Sequence, residues 1–123
     1  MNDSTPIFIN LSNHPSNGWS GEQVSAARIF GKIVDMAFPM VDPYATADEV
    51  KHLAEECVER IMEFGAPVDL TVHIMGEMTL TYSIVAALCQ LGVHCVASTT
   101  ERFVTEVDGK KVSEFHFVQF REY

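Results

Sequence analysis

Basic side chains are scarce in this sequence: 8 Lys and Arg stand against 17 Asp and Glu, for a formal charge of −9. A surface that reads long DNA or RNA draws most of its affinity from cations neutralising many phosphates, so this balance argues against one. A small anion in a pocket stays compatible with it, because a few backbone N–H groups and one or two cations suffice. Cysteine is equally sparse. Cys57, Cys89 and Cys95 are odd in number, show no CxxC spacing and fall in apolar stretches, so they read as buried thiols of a reducing, cytoplasmic compartment.

Long apolar runs are missing too. The longest, Ile84 to Ala97, is interrupted by Gln90, Gly92 and His94, which excludes a membrane-spanning helix. No signal peptide is expected, since Met1 to Thr5 is polar and Pro6 to Leu11 is too short an apolar core. Neither GxGxxG nor GxxxxGK[ST] occurs, which disfavours a conventional NAD or ATP enzyme. There is no HExxH, and the histidines and cysteines do not cluster, so neither a metal nor another cofactor is expected. Ser12 lacks the glycine-flanked elbow of a serine hydrolase.

What is present is a regular alternation of short apolar runs and capped amphipathic segments, without repeats or low-complexity stretches. With 123 residues, 47% of them hydrophobic, the chain suits one domain around one core, residues 1–123. Pro6 to Leu11 reads as a buried first strand, ending in the polar loop Ser12 to Gly18. Ser20 and Gln23 form a capping box, with Trp19 placed as a hydrophobic staple on Val24, and Gly31 stops that helix. Lys32 to Phe38 is a second strand. Thr46 and Glu49 open a second helix, whose inner face is Val50, Leu53, Ala54, Cys57, Val58, Ile61 and Met62. Val68 to Met75 is a third strand. Thr79 is placed as the cap of a third helix, Leu80 to Leu91, whose low charge suggests deeper burial than the second.

His94 to Ala97 reads as a fourth strand, followed by a loop at Ser98 to Arg102. Phe103 to Val107, Asp108-Gly109 and Lys110 to Phe120 then form a β-hairpin, with Glu106 set opposite Lys111. In the last strand the apolar phase shifts from Phe115 and Phe117 to Val118 and Phe120, a sign of a bulge or of burial on both faces. The order β-α-β-α-β-α-β plus hairpin predicts a mainly parallel, Rossmann-like α/β sheet with an antiparallel extension.

Such sheets bind ligands beyond the carboxyl ends of their strands, which selects the loops Ser12 to Gly18, Gly76 to Tyr82 and Ser98 to Arg102. His14 is the histidine placed in a loop, where it serves either as an acid or base or as a backbone hydrogen-bonding group. Arg102 is either a phosphate clamp or a surface partner of Glu101. Glu77 suits a general base or a ribose ligand, and equally a helix N-terminus. Thr79 divides likewise between capping and binding. Trp19 either stacks on a base or serves as the staple, which explains it without a ligand.

The run Asn10-Leu11-Ser12-Asn13-His14-Pro15, with Trp19, Gln23 and the turn Met75-Gly76-Glu77-Met78-Thr79, resembles the small Rossmann-like proteins of CRISPR loci. These are stand-alone relatives of the CARF domain and include ring nucleases, proteins of antiviral defence. The resemblance implies a homodimer that binds cyclic oligoadenylate across its two-fold axis at the strand carboxyl ends. In members that cleave the ring, a ribose 2′-hydroxyl attacks the neighbouring phosphate without a metal. Carried onto this chain, it gives His14 as acid or base, Arg102 as clamp, and Ser12, Asn13, Gly76, Thr79 and Thr99 as binding groups, with Glu77 beside them. The chain departs from the family in having few basic residues near this site. Two alternatives stay open: a non-catalytic sensor or interaction module, and an enzyme acting on another small nucleotide-like metabolite.

Overall fold

The structure is a computed structural model describing residues 5–123. Of the polar opening Met1 to Thr5, read above for the absence of a signal peptide, only Thr5 lies among the described residues. Five strands, β1 (Ile7–Ser12), β2 (Lys32–Ala37), β3 (Leu70–Met75), β4 (His94–Val107) and β5 (Lys110–Glu122), form one sheet in the order β2-β1-β3-β4-β5. The first four are parallel and β5 returns antiparallel to β4. This is the expected Rossmann-like α/β sheet with a C-terminal hairpin.

Three helices, α1 (Gly21–Phe30), α2 (Ala47–Met62) and α3 (Met78–Gln90), connect the parallel strands. Their starts follow local chemistry. Thr46 and Glu49 close a complete capping box on α2, whereas on α1 the Ser20 hydroxyl accepts from Gln23 N at 3.2 Å. The cap of α3 is not Thr79 but Glu77, whose carboxylate folds forward over the first turn and accepts from the N–H groups of Thr79 and Leu80 at 3.1 and 2.8 Å.

Alternation along β1 divides the core in two. Ile9 and Leu11 face α2 and α3, packing with Val50, Ala54, Cys57, Ile61, Leu80, Ile84 and Leu88. Phe8 points the other way, toward Ala27 and Phe30 of α1 and Phe120 of β5. The helices on the two faces thus bury opposite halves of the same strands. The expectation that α3 is the deeper helix fails: Met78 and Tyr82 on its outer side are 82% and 75% exposed, so its scarcity of charge leaves apolar surface in water.

The hairpin departs furthest from the expected boundaries. Ser98 to Arg102 is not a loop, because β4 runs unbroken from His94 to Val107 and pairs with β5 along this stretch. Asp108 (φ 52°) and Gly109 (φ 77°) supply the turn, and Glu106 stands opposite Lys111 as expected. The phase shift is a bulge: Thr99 pairs with Gln119 and Thr100 with Phe117, leaving Val118 as the extra residue. The bulge puts Phe117 and Phe120 on one face, ring centroids 4.9 Å apart. The cysteine reading needs one correction. Cys57 and Cys95 are buried, but Cys89 is exposed, because it lies on the outer side of the last turn of α3.

Candidate functional site

A polar row crosses the α1 face of the sheet, where Asp35, Asn10 and His73 stand in register on β2, β1 and β3. Asn10 and His73 are 1% and 2% exposed, so their polar atoms depend on one another. The Asn10 amide donates to Asp35 Oδ1 and to His14 O, both at 2.9 Å. Its oxygen accepts from Ser12 Oγ at 2.8 Å and faces His73 Nδ1 at 2.8 Å. Reversing the amide would turn its oxygen toward a carboxylate and a carbonyl, so the orientation is fixed by charge. His73 therefore carries its proton on Nδ1, and Nε2 is left with a bare lone pair. That Nε2 is buried and has no hydrogen-bond partner among the described residues.

The row also shapes the loop after β1. Asp35 accepts from Ser16 N at 3.0 Å and Ser16 Oγ at 2.7 Å, and Trp19 Nε1 donates to His14 O at 3.0 Å. His14 N donates to Ser12 Oγ at 3.2 Å. The Trp19 side chain lies against the sheet. Its ring packs edge-on over His73, with centroids 5.5 Å apart, and against Phe8 and Phe120, because the hydrogen bond to His14 O draws it inward.

Charge in this row follows from burial and contacts. Burial pushes His73 down to about 4 from its ordinary 6.5, with repulsion from His14 adding to the effect. Burial alone would raise the Asp35 carboxyl, but hydrogen bonds from Asn10 and Ser16 outweigh it and hold the carboxyl below its ordinary value. The imidazole is neutral and the carboxyl ionised at pH 7.

Above the row opens a cavity of about 920 Å³. Its floor includes His73, and its walls come from Asn13, His14 and Trp19 after β1, Met75 and Gly76 after β3, Ser98 and Thr100 on β4, and Phe115 to Phe117 on β5. It lies at the carboxyl ends of β1 and β3, where the strand order reverses, the position at which doubly wound sheets bind ligands. A second cavity of about 840 Å³ opens at the opposite strand ends and carries Arg28 and Lys32. No unpartnered buried polar side chain lines it among the described residues.

The structure unites only part of the expected site. His14, Asn13 and Gly76 line the main cavity, and Ser12 lies beneath it, its hydroxyl committed to Asn10 and His14. Gly76 has a packing reason of its own, since a Cβ there would fall 2.5 Å from the Phe38 ring. Glu77 and Thr79 cap α3. Hydrogen bonds from Leu80 N, then Thr79 Oγ1 and N, hold the Glu77 carboxyl below its ordinary value, and that carboxylate occupies the place an anion would take. Thr99 donates to Gln119 O at 3.2 Å, while its neighbour Thr100 faces the cavity. Arg102 is outside the lining and bonds Ser113 Oγ at 3.0 Å, not Glu101.

From the sequence alone His73 is one residue of the third strand, and Asn10 one residue of the run Asn10 to Pro15. The available signal was a polar residue at an inward position of each of two apolar strands, Ile7–Ser12 and Leu70–Met75. Among the described residues no three His, Cys, Asp or Glu side chains converge as metal ligands, and no helix is long and apolar enough to cross a membrane.

Fold and geometry together define a doubly wound α/β protein with a cavity at its topological switch point. The model of the Uncharacterized protein MJ1673 family matches residues 6–121, and the chain belongs to that family. No curated protein matches the sequence.

Proposed function

We propose that the cavity above His73 binds a cyclic oligoadenylate, the ring-shaped second messenger of CRISPR defence, and that the chain acts in the cytoplasm as a metal-independent ring nuclease. The observation that carries this reading is the cavity itself. At about 920 Å³ it has room for several nucleotide units of a ring, Trp19, Phe115 and Phe117 offer surfaces for stacking bases, and the imidazoles of His14, His73 and His116 offer groups for proton transfer. Ribose hydroxyls and base edges find Asn13, Ser98 and Thr100 along the walls.

The same reading includes a homodimer. Two features support it: the exposed Met78 and Tyr82 beside the Gly76 loop, and the outer part of the hairpin, where Phe103, Val104 and Phe115 are exposed on a two-stranded ribbon that alone is marginal in water. Arg102 of this ribbon stands two positions from Thr100 of the cavity wall.

Calorimetry of the full chain with cyclic tetra- and hexa-adenylate, in a metal chelator, tests the proposal. One ring is expected to bind per two chains, and Thr100→Trp, which fills the cavity from an exposed position, is expected to weaken binding by about tenfold or more, roughly the 1.4 kcal/mol of a lost contact or two. Failure of both rings to bind the wild-type chain would overturn it.

A further inference from the structure

We propose that His73 is the proton acceptor for the attacking hydroxyl, with Nε2 as the accepting atom and Asn10 as the residue that positions the ring; this assignment rests on the cyclic-oligonucleotide reading above. Three observations lead to it. His73 forms the cavity floor at 2% exposure, and its Nε2 has no hydrogen-bond partner among the described residues. An unsatisfied buried acceptor costs about 1–3 kcal/mol, so its presence in an otherwise fully paired row marks a place reserved for a donor from outside. Finally, Asn10 Oδ1 at 2.8 Å holds the proton on Nδ1, and Asp35 and Ser12 in turn fix the amide. An imidazole held in one tautomer by a carboxamide, with its other nitrogen bare, is the arrangement a general base requires.

The step balances without a metal or a second reagent. Nε2 takes the proton of a ribose 2′-hydroxyl as that oxygen bonds to the adjacent phosphorus. The bond from phosphorus to the 5′-oxygen breaks, and the departing oxygen takes a proton from a water molecule in the cavity that His14 also lines. The products are a 2′,3′-cyclic phosphate and a 5′-hydroxyl, and the hydroxide left behind takes the proton back from His73 Nε2, which restores the imidazole. Trp19 stands edge-on above His73, so a ligand reaches Nε2 by swinging this half-buried side chain aside.

The test is single-turnover cleavage of cyclic tetra- or hexa-adenylate in chelator by the full chain and by His73→Gln, with binding measured alongside. Expected are a 2′,3′-cyclic phosphate product from the wild type, and in the folded variant a rate lower by about a hundredfold or more, the usual share of a general base, with affinity within about threefold. A folded variant with an unchanged rate overturns the assignment, as does a wild type that binds the ring and releases it intact; in both cases the binding reading stands. A wild type that binds neither ring overturns the binding reading and this assignment with it. Should His73→Gln not fold, the wild type decides: nitrogen-15 NMR of its imidazoles is expected to show His73 protonated on Nδ1, and the opposite tautomer contradicts the proposal.

Discussion

His73 is a residue whose position works against its own charge. Folding lowers its pKa from 6.5 to about 4, first through burial and then through His14, so the native state favours the neutral ring. The unfolded chain takes up a proton below pH 6.5 and the folded chain does not, so the stability His73 contributes is complete above pH 6.5 and is lost as pH falls toward 4. The full loss is on the order of 3 kcal/mol. His14, Glu22 and His116 share its cavity, and Asp35 reaches it through Asn10, so the decline is shaped by the set but centred on His73. Urea unfolding between pH 7 and 4 is expected to show a clearly shallower decline for His73→Gln than for the wild type. Parallel curves would place the titration elsewhere. The sequence made the strand legible but not this residue's setting, which arises from Asn10 on β1, 63 positions away, and from Asp35 on β2, 25 positions from Asn10.

At the scale of elements, the parts most legible in the sequence are those whose causes are local. The Thr46 cap, the Asp108-Gly109 turn and the pairing of Glu106 with Lys111 each depend on residues within a few positions, and each stands in the structure. What was not legible depended on tertiary pairing. Ser98 to Arg102, rich in hydroxyls, reads as a loop until β5 is there to hydrogen-bond it, and with that loop goes the expected convergence of Arg102 on the site. The β3–α3 junction carries an element-scale test. Gly76 is needed because Phe38 packs against its Cα, so Gly76→Ala is expected to destabilise the chain by about 1–3 kcal/mol through overpacking. Chemical denaturation checks this, and a change below about 0.5 kcal/mol, the level of an ordinary surface substitution, would show that the junction yields.

Across the whole molecule, the central strands β1 and β3, buried on both faces, leave few places for polar chemistry, and this chain concentrates it at one end. The strand order puts the carboxyl ends of β1 and β3 side by side, and the Asp35-Asn10-His73 row is the polar seam beneath them. The acidic balance of the whole chain does not describe this place, whose lining holds Glu22 and three histidines. The alternation of strands and helices made the position of the cavity foreseeable, whereas its floor became visible only with the sheet assembled. His52, exposed on α2 on the opposite face, is a natural reference for locating a ligand. The most direct measurement is therefore an NMR titration of the five histidine imidazoles with cyclic tetra- or hexa-adenylate. Saturable shifts at His14 and His73 with His52 unmoved are the expected result; five unmoved histidines, or movement at His52 without His73, would contradict the cavity as the binding site.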